Sequence, residues 1–277
     1  MRRVTTLFLL ALLYGTAGSS IVPAQSLDLT IGGYGLSIGD SRAVNGLRLN
    51  FRDRRLRQVN GINATIWTPR DPARGLINGI ALGLPVTGGR RINGLATGLF
   101  GAGADESITG VVFGPLGGGA GESIEGIGLG GLGLGAGEDL VGIMIGGLGV
   151  GAGGDVTGVM IGGLGVGAGG TLAGLMIGGV GVGASEVRGI ALSGLAAGGE
   201  TVTGAVLAPA YFRITNGGQF TGVAMSAFNH IKGDQNGLTI GLLNYAWRLD
   251  GVQLGLLNFA GNKDRLRWLP LINWHFD

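Results

Sequence analysis

Ser226, His230 and Asp234 stand four residues apart in the segment SAFNHIKGD, and they are the three residue types of a hydrolytic triad: a hydroxyl nucleophile, an imidazole base and a carboxylate to orient it. Triads are defined by geometry rather than spacing. This segment lies between Gly222 and Gly237 of a repeat, where a polar corner accounts for it better. The only other histidine is His275, and with no cysteine in the chain a histidine-rich metal site cannot be assembled. The acidic pairs Asp105–Glu106 and Glu138–Asp139 could serve acid–base chemistry, but both fall where the repeat turns and read as solvated corners. Gly149-x-Gly151-x-x-Gly154 has the dinucleotide-binding spacing, yet it recurs with the repeat and no helix follows it. There is no Gly-Lys-Ser/Thr phosphate loop. The run GAGGD at Gly151–Asp155 is similar to calcium-binding glycine–aspartate repeats. However, Thr171 replaces Asp155 one unit later, and a calcium site needs several oxygens where each unit offers one carboxylate. The expectation is a chain with no catalytic residues, no cofactor and no metal.

Two features are suited to binding. The segment FRDRRLR carries Arg52, Arg54, Arg55 and Arg57, which could meet phosphates of lipopolysaccharide or nucleic acid, or form a charged cap that blocks stacking. Met144, Met160 and Met176 recur at one position of the repeat. If they face outward they form an apolar stripe for a membrane or a partner; if they are covered they mean only packing. Envelope components or a membrane surface are the expected partners, with no specific nucleic-acid binding.

The elements that must position these residues come from a repeat. One glycine marks its register at Gly46, Gly61, Gly79, Gly94, Gly110, Gly126, Gly142, Gly158, Gly174, Gly189, Gly204, Gly222, Gly237 and Gly251, in steps mostly of 15 or 16 residues. The residue two before it is apolar in thirteen of these fourteen units, Gln235 being the exception. The residue after it is always apolar, and the residue three after usually is. A Gly-Gly pair and a Leu-x-Val-x-Ala run often follow. Short apolar alternation indicates strands, and paired glycines indicate corners. A helix of this composition would lose about 1 kcal/mol per glycine relative to alanine.

The chain has 277 residues, 63 of them glycine, and 45% are hydrophobic. That much aliphatic side chain argues against disorder, and the absence of a three-residue glycine period excludes collagen. The start, MRRVTTLFLLALLYGTAGSSIVPAQS, has the order of a secretory signal peptide over residues 1–26: basic, apolar, then small. Without Arg2 and Arg3, 17 basic side chains balance 17 acidic ones. The distribution is uneven, with ten arginines between Asp40 and Arg91 and no lysine or arginine between Ile92 and Val187. Residues 27–277 are expected to form one β-repeat domain, with arginine-rich coils or a cap over 27–91, glycine-rich coils over 92–210 and C-terminal coils with a cap over 211–277.

Two all-β architectures compete. One is a parallel β-solenoid of 14–16-residue coils, each with two short strands and tight corners. The other is an antiparallel meander closing as an outer-membrane β-barrel. In GLTIGLLNYAWRLD, Thr239 and Asn244 are five apart, so one continuous strand would place them on opposite faces. A corner between them resets the alternation. Leu238, Ile240, Leu243 and Tyr245 are then expected inside, with Thr239 and Asn244 outside. The same phase puts Val156, Val159, Ile161, Leu164, Val166 and Ala168 inside and Met160 outside. Two signals favour the barrel: the recurrent hairpin dipeptide Asn-Gly, and the alternation of Trp268, Ile272, Trp274 and Phe276.

At GLTIGLLNYAWRLDGVQLGLLNFAGN the chain resembles bacterial exported surface-repeat proteins built on Gly-Leu-x-Ile-Gly-Leu-x-Asn-x-Ala units. Gly237, Leu238, Ile240, Gly241, Asn244 and Ala246 carry the pattern, as do Gly251, Val252, Leu254, Gly255, Asn258 and Ala260. The resemblance covers two units, and the glycine-richer centre departs from it by losing the asparagine. It implies an exported, envelope-associated protein and no catalytic residues. The expected function is therefore a non-enzymatic cell-envelope or surface protein that presents a repetitive β surface, with a barrel serving as channel or anchor as the alternative.

Overall fold

The computed structural model describes residues 26–69 and 72–276; most of the expected signal segment lies outside them. The described chain is a parallel β-solenoid of about 12 turns with a spacing of about 16 residues. Each central coil has a longer and a shorter strand, as in Val156–Gly162 followed by Gly165–Ala168. Each strand pairs in parallel with its equivalent one coil away, Gly142↔Gly158↔Gly174 and Val150↔Val166↔Val182. This parallel ladder rules out the meander and the barrel. Asn45, Asn60, Asn78 and Asn93 with their glycines lie inside parallel strands rather than in hairpin turns. The asparagines form an exposed ladder, each donating Nδ2 to the Oδ1 of the previous one at 2.6–2.8 Å.

The register glycine is obligatory. All fourteen have positive φ, between 117° and 148°. A Cβ there would lie 2.0–2.3 Å from the carbonyl oxygen of the equivalent glycine one coil back. Only a residue without a side chain allows both the dihedral and the approach. The corners use glycine similarly: a Cβ on Gly162 would sit 2.0 Å from the Gly165 oxygen, and one on Gly163 would sit 1.8 Å from the Gly147 oxygen.

The interior is narrow and holds three main columns. The first is the position two before the glycine, running through Ile108, Ile124, Leu140, Val156 and Leu172. The second lies two after it: Met144, Met160 and Met176 at the centre, Ala81 and Ala96 on one side, Ala191 and Val206 on the other. The third is on the short strand: Leu134, Val150, Val166 and Val182. In the central unit the expected phase was correct for Val156 in the first column and Val166 in the third, and inverted between them. Val156 and Met160 are four apart on one strand that keeps its alternation through Gly158, so they share a face. Met160 is buried, Val159 and Ile161 are half exposed, and Leu164 is exposed. Thr239 and Asn244 are fully buried, not outward, whereas Leu238, Ile240, Leu243 and Tyr245, expected inside, are only half-buried.

The ends of the interior are polar. Arg48 is buried in the methionine column, with Nε on the Ser41 carbonyl at 3.1 Å, Nη1 on Asn63 and Asp53, and Nη2 on Asp40 at 3.2 Å. At the other end a buried asparagine ladder occupies the third column. Asn229 donates Nδ2 to Asn244 Oδ1, and Asn244 to Asn258, both at 2.7 Å. Both end strands run antiparallel to their neighbours, Leu27–Ile31 on Tyr34–Ile38 and Trp268–His275 on the last coil.

Candidate functional site

The residues that suggested a triad part company in the fold. Ser226 is buried and its Oγ donates to the Phe228 carbonyl at 3.3 Å. His230 stands on the outer surface of the shorter-strand side, with Nδ1 2.8 Å from the Tyr211 hydroxyl, between Phe228 and Tyr245. Desolvation there, reinforced by Lys232 and Arg213, pushes its pKa below the usual imidazole value. Asp234 faces Arg248 at 3.7 Å. None of the three hydrogen-bonds another.

One carboxylate of each acidic pair, Glu106 and Asp139, has a structural partner. Glu106 pairs with Arg90 and Arg91 at 3.3 and 3.0 Å. Asp139 Oδ1 accepts the Asp155 N–H at 2.8 Å, and Asp155 Oδ1 accepts the Thr171 N–H at 2.7 Å, so each carboxylate caps the coil above. Among the described residues no group of three or more histidine, cysteine or acidic side chains could hold a metal ion. Gly149, Gly151 and Gly154 lie on or just after a short strand, with no helix to complete a dinucleotide site.

Met144, Met160 and Met176 form no outer stripe, because all three are fully buried. The apolar outer surface is instead made by the positions one and three after the glycine. Val111 and Phe113, Ile127 and Leu129, Ile143 and Ile145, and Val223 and Met225 are all exposed. A third line, Leu116, Leu132, Leu148 and Leu164 at the following corner, is about half exposed. With strands roughly 4.8 Å apart, these lines make an apolar face on the order of 10³ Å². Exposed apolar patches on monomeric proteins are usually a few hundred Å². The sequence reading found these aliphatic columns and placed them inside, so it missed the face.

The arginine segment Phe51–Arg57 is a side loop between the parallel strands Ala43–Asn50 and Gln58–Thr65, not the end of the stack. It brings Arg54 and Arg55 to Asp40, while Arg52 Nη2 donates to the Pro69 carbonyl at 3.5 Å. Arg55 Nε is 3.3 Å from Asp40 Oδ2, and the Arg54 N–H is 3.3 Å from Oδ1. Arg57 is exposed and its backbone N–H donates to the Arg42 carbonyl at 2.7 Å. Leu56, inside the same segment, is buried and anchors the loop to the core.

No family model, curated protein or solved structure matches the chain.

Proposed function

We propose that the protein is a non-enzymatic, exported component of the cell envelope that lies side-on against an apolar surface there. The observation that carries this reading is the flat outer face built by the columns around the register glycine. Those side chains repeat coil after coil, although the interior needs none of them. The signal-like start of the chain and its resemblance to exported surface-repeat proteins support the location.

Cell fractionation tests both parts. The wild-type chain is expected in the envelope fraction and open to protease once the outer barrier is breached; recovery in the cytosol overturns export. Replacing Ile143 and Ile145 by lysine is expected to release the chain from the envelope at an unchanged melting temperature, because both side chains already point outward. Undiminished retention of that variant overturns the role of the face.

A further inference from the structure

We propose that the N-terminal end of this face is a binding groove for a single-chain anionic amphiphile, one aliphatic tail ending in a phosphate or carboxylate. The proposal depends neither on export nor on what covers the rest of the face. A cleft of about 1340 Å³ crosses the coils between Ile38 and Pro115. Its cause lies in the column three after the glycine. In the central coils that position is always large: Leu129, Ile145, Ile161, Ile177. Here it reads Leu49, Ala64, Leu82, Thr97, Phe113. Ala64 and Thr97 withdraw volume from an otherwise level surface, and Gly83 and Gly98 beside them add none back. Leu49, Leu82, Leu99 and Phe113 remain as exposed apolar walls. Phe51 stacks on Trp67, with ring centroids 6.5 Å apart and planes 6° from parallel, which props up one end.

That same end is cationic. Arg52, Arg54 and Arg55 line the cleft against a single acid, Asp40. Asp40 is already engaged by the buried Arg48 as well as by Arg55. The Arg54 guanidinium has no ion pair among the described residues, and Arg52, whose Nη2 donates to the Pro69 carbonyl at 3.5 Å, keeps a buried Nε without a hydrogen-bond partner. A guanidinium fork takes carboxylate or phosphate through paired N–H donors. An apolar trough leading to surplus guanidinium groups is complementary to a tail with an anionic head. A bare anion would leave the trough wet, and a nonionic amphiphile would leave the arginines unanswered.

The test is calorimetric titration of the full chain with dodecyl phosphate below its micelle concentration, beside dodecyl maltoside and inorganic phosphate. One dodecyl phosphate per chain is expected, bound at least tenfold tighter than either comparator. Arg54→Glu is expected to weaken it tenfold or more. Thr97→Leu, which restores the size this column has elsewhere, is expected to do the same at an unchanged melting temperature; Ala64→Leu is the second filling variant. Equal affinity for dodecyl maltoside overturns the proposal, as does wild-type affinity in Arg54→Glu or in both filling variants. Binding seen only with vesicles of anionic lipid overturns it in favour of a membrane. A dimer that Thr97→Leu dissociates overturns it in favour of a second copy of the chain. The Ile143/Ile145 lysine variant should titrate like wild type, so failure of the envelope reading and failure of this one are separable.

Discussion

Two kinds of glycine share this chain, and only one is required by the fold. Gly158 combines φ of 125° with a virtual Cβ 2.0 Å from the Gly142 oxygen. Gly167 lies outside the left-handed region, and its virtual Cβ meets the Gly183 oxygen at 3.6 Å, an ordinary contact. Later coils place Arg213, His230 and Tyr245 along the same line. Gly158→Ala is therefore expected to destabilise by on the order of 3 kcal/mol or more, through steric overlap and backbone strain. Gly167→Ala should be neutral or stabilise by about 0.4–1 kcal/mol, by restricting the unfolded chain. Denaturant midpoints of the two variants check this; equal losses would remove the steric distinction. The register glycine was legible in the sequence because its spacing is nearly constant. The difference between the two kinds was not, since φ and cross-coil distance exist only in the stack.

At the scale of the strand, the sequence revealed the period, the parallel stacking and, in the central coils, two of the three interior columns. It misled on the long strand because the alternation was phased from Thr239 and Asn244, which were expected outside as polar residues and are in fact buried. A coil of 16 residues leaves a lumen only a few side chains wide, and those seats go to Val156, Met160 and Val166. Ile143 and Ile145, equally apolar, are left outside. The asparagine ladder shows the same limit. Asn244 resembles a surface residue by type, yet it sits in the column that Val150 and Val166 occupy in the central coils. Asn244→Val should fit that space but strip partners from Asn229 and Asn258, costing about 2–3 kcal/mol. Replacing all three asparagines by valine is expected to cost less than three times that amount, because no buried amide is then left without its mate. Additive losses in unfolding experiments would show that the ladder is not a coupled unit.

At the scale of the whole molecule, the stack of described residues has two ends, and each carries a strand of reversed direction. Trp268–His275 runs antiparallel on the last coil, carries Pro270 and supplies the Leu269 carbonyl that accepts from Asn258 at 3.2 Å. A reversed strand with a proline is a poor template for another parallel coil. Truncation after Asn262 should therefore bare a parallel edge and drive concentration-dependent assembly, visible by light scattering. A truncated chain that stays monomeric would mean the closing strand has no protective role. The tryptophan alternation in this segment was visible in the sequence. Its direction was not, since antiparallel pairing suits a barrel seam and a solenoid end equally well.

The units Gly142–Thr157 and Gly158–Ala173 are nearly the same sixteen residues, stacked atom over atom, and their buried contacts reach only the neighbour above and below. Copying slippage that gains or loses one such module would leave both termini and the arginine loop untouched. The molecule would simply become about 4.8 Å longer or shorter. Its reach is thus a heritable setting, adjustable by whole notches while the rest of the design stands still.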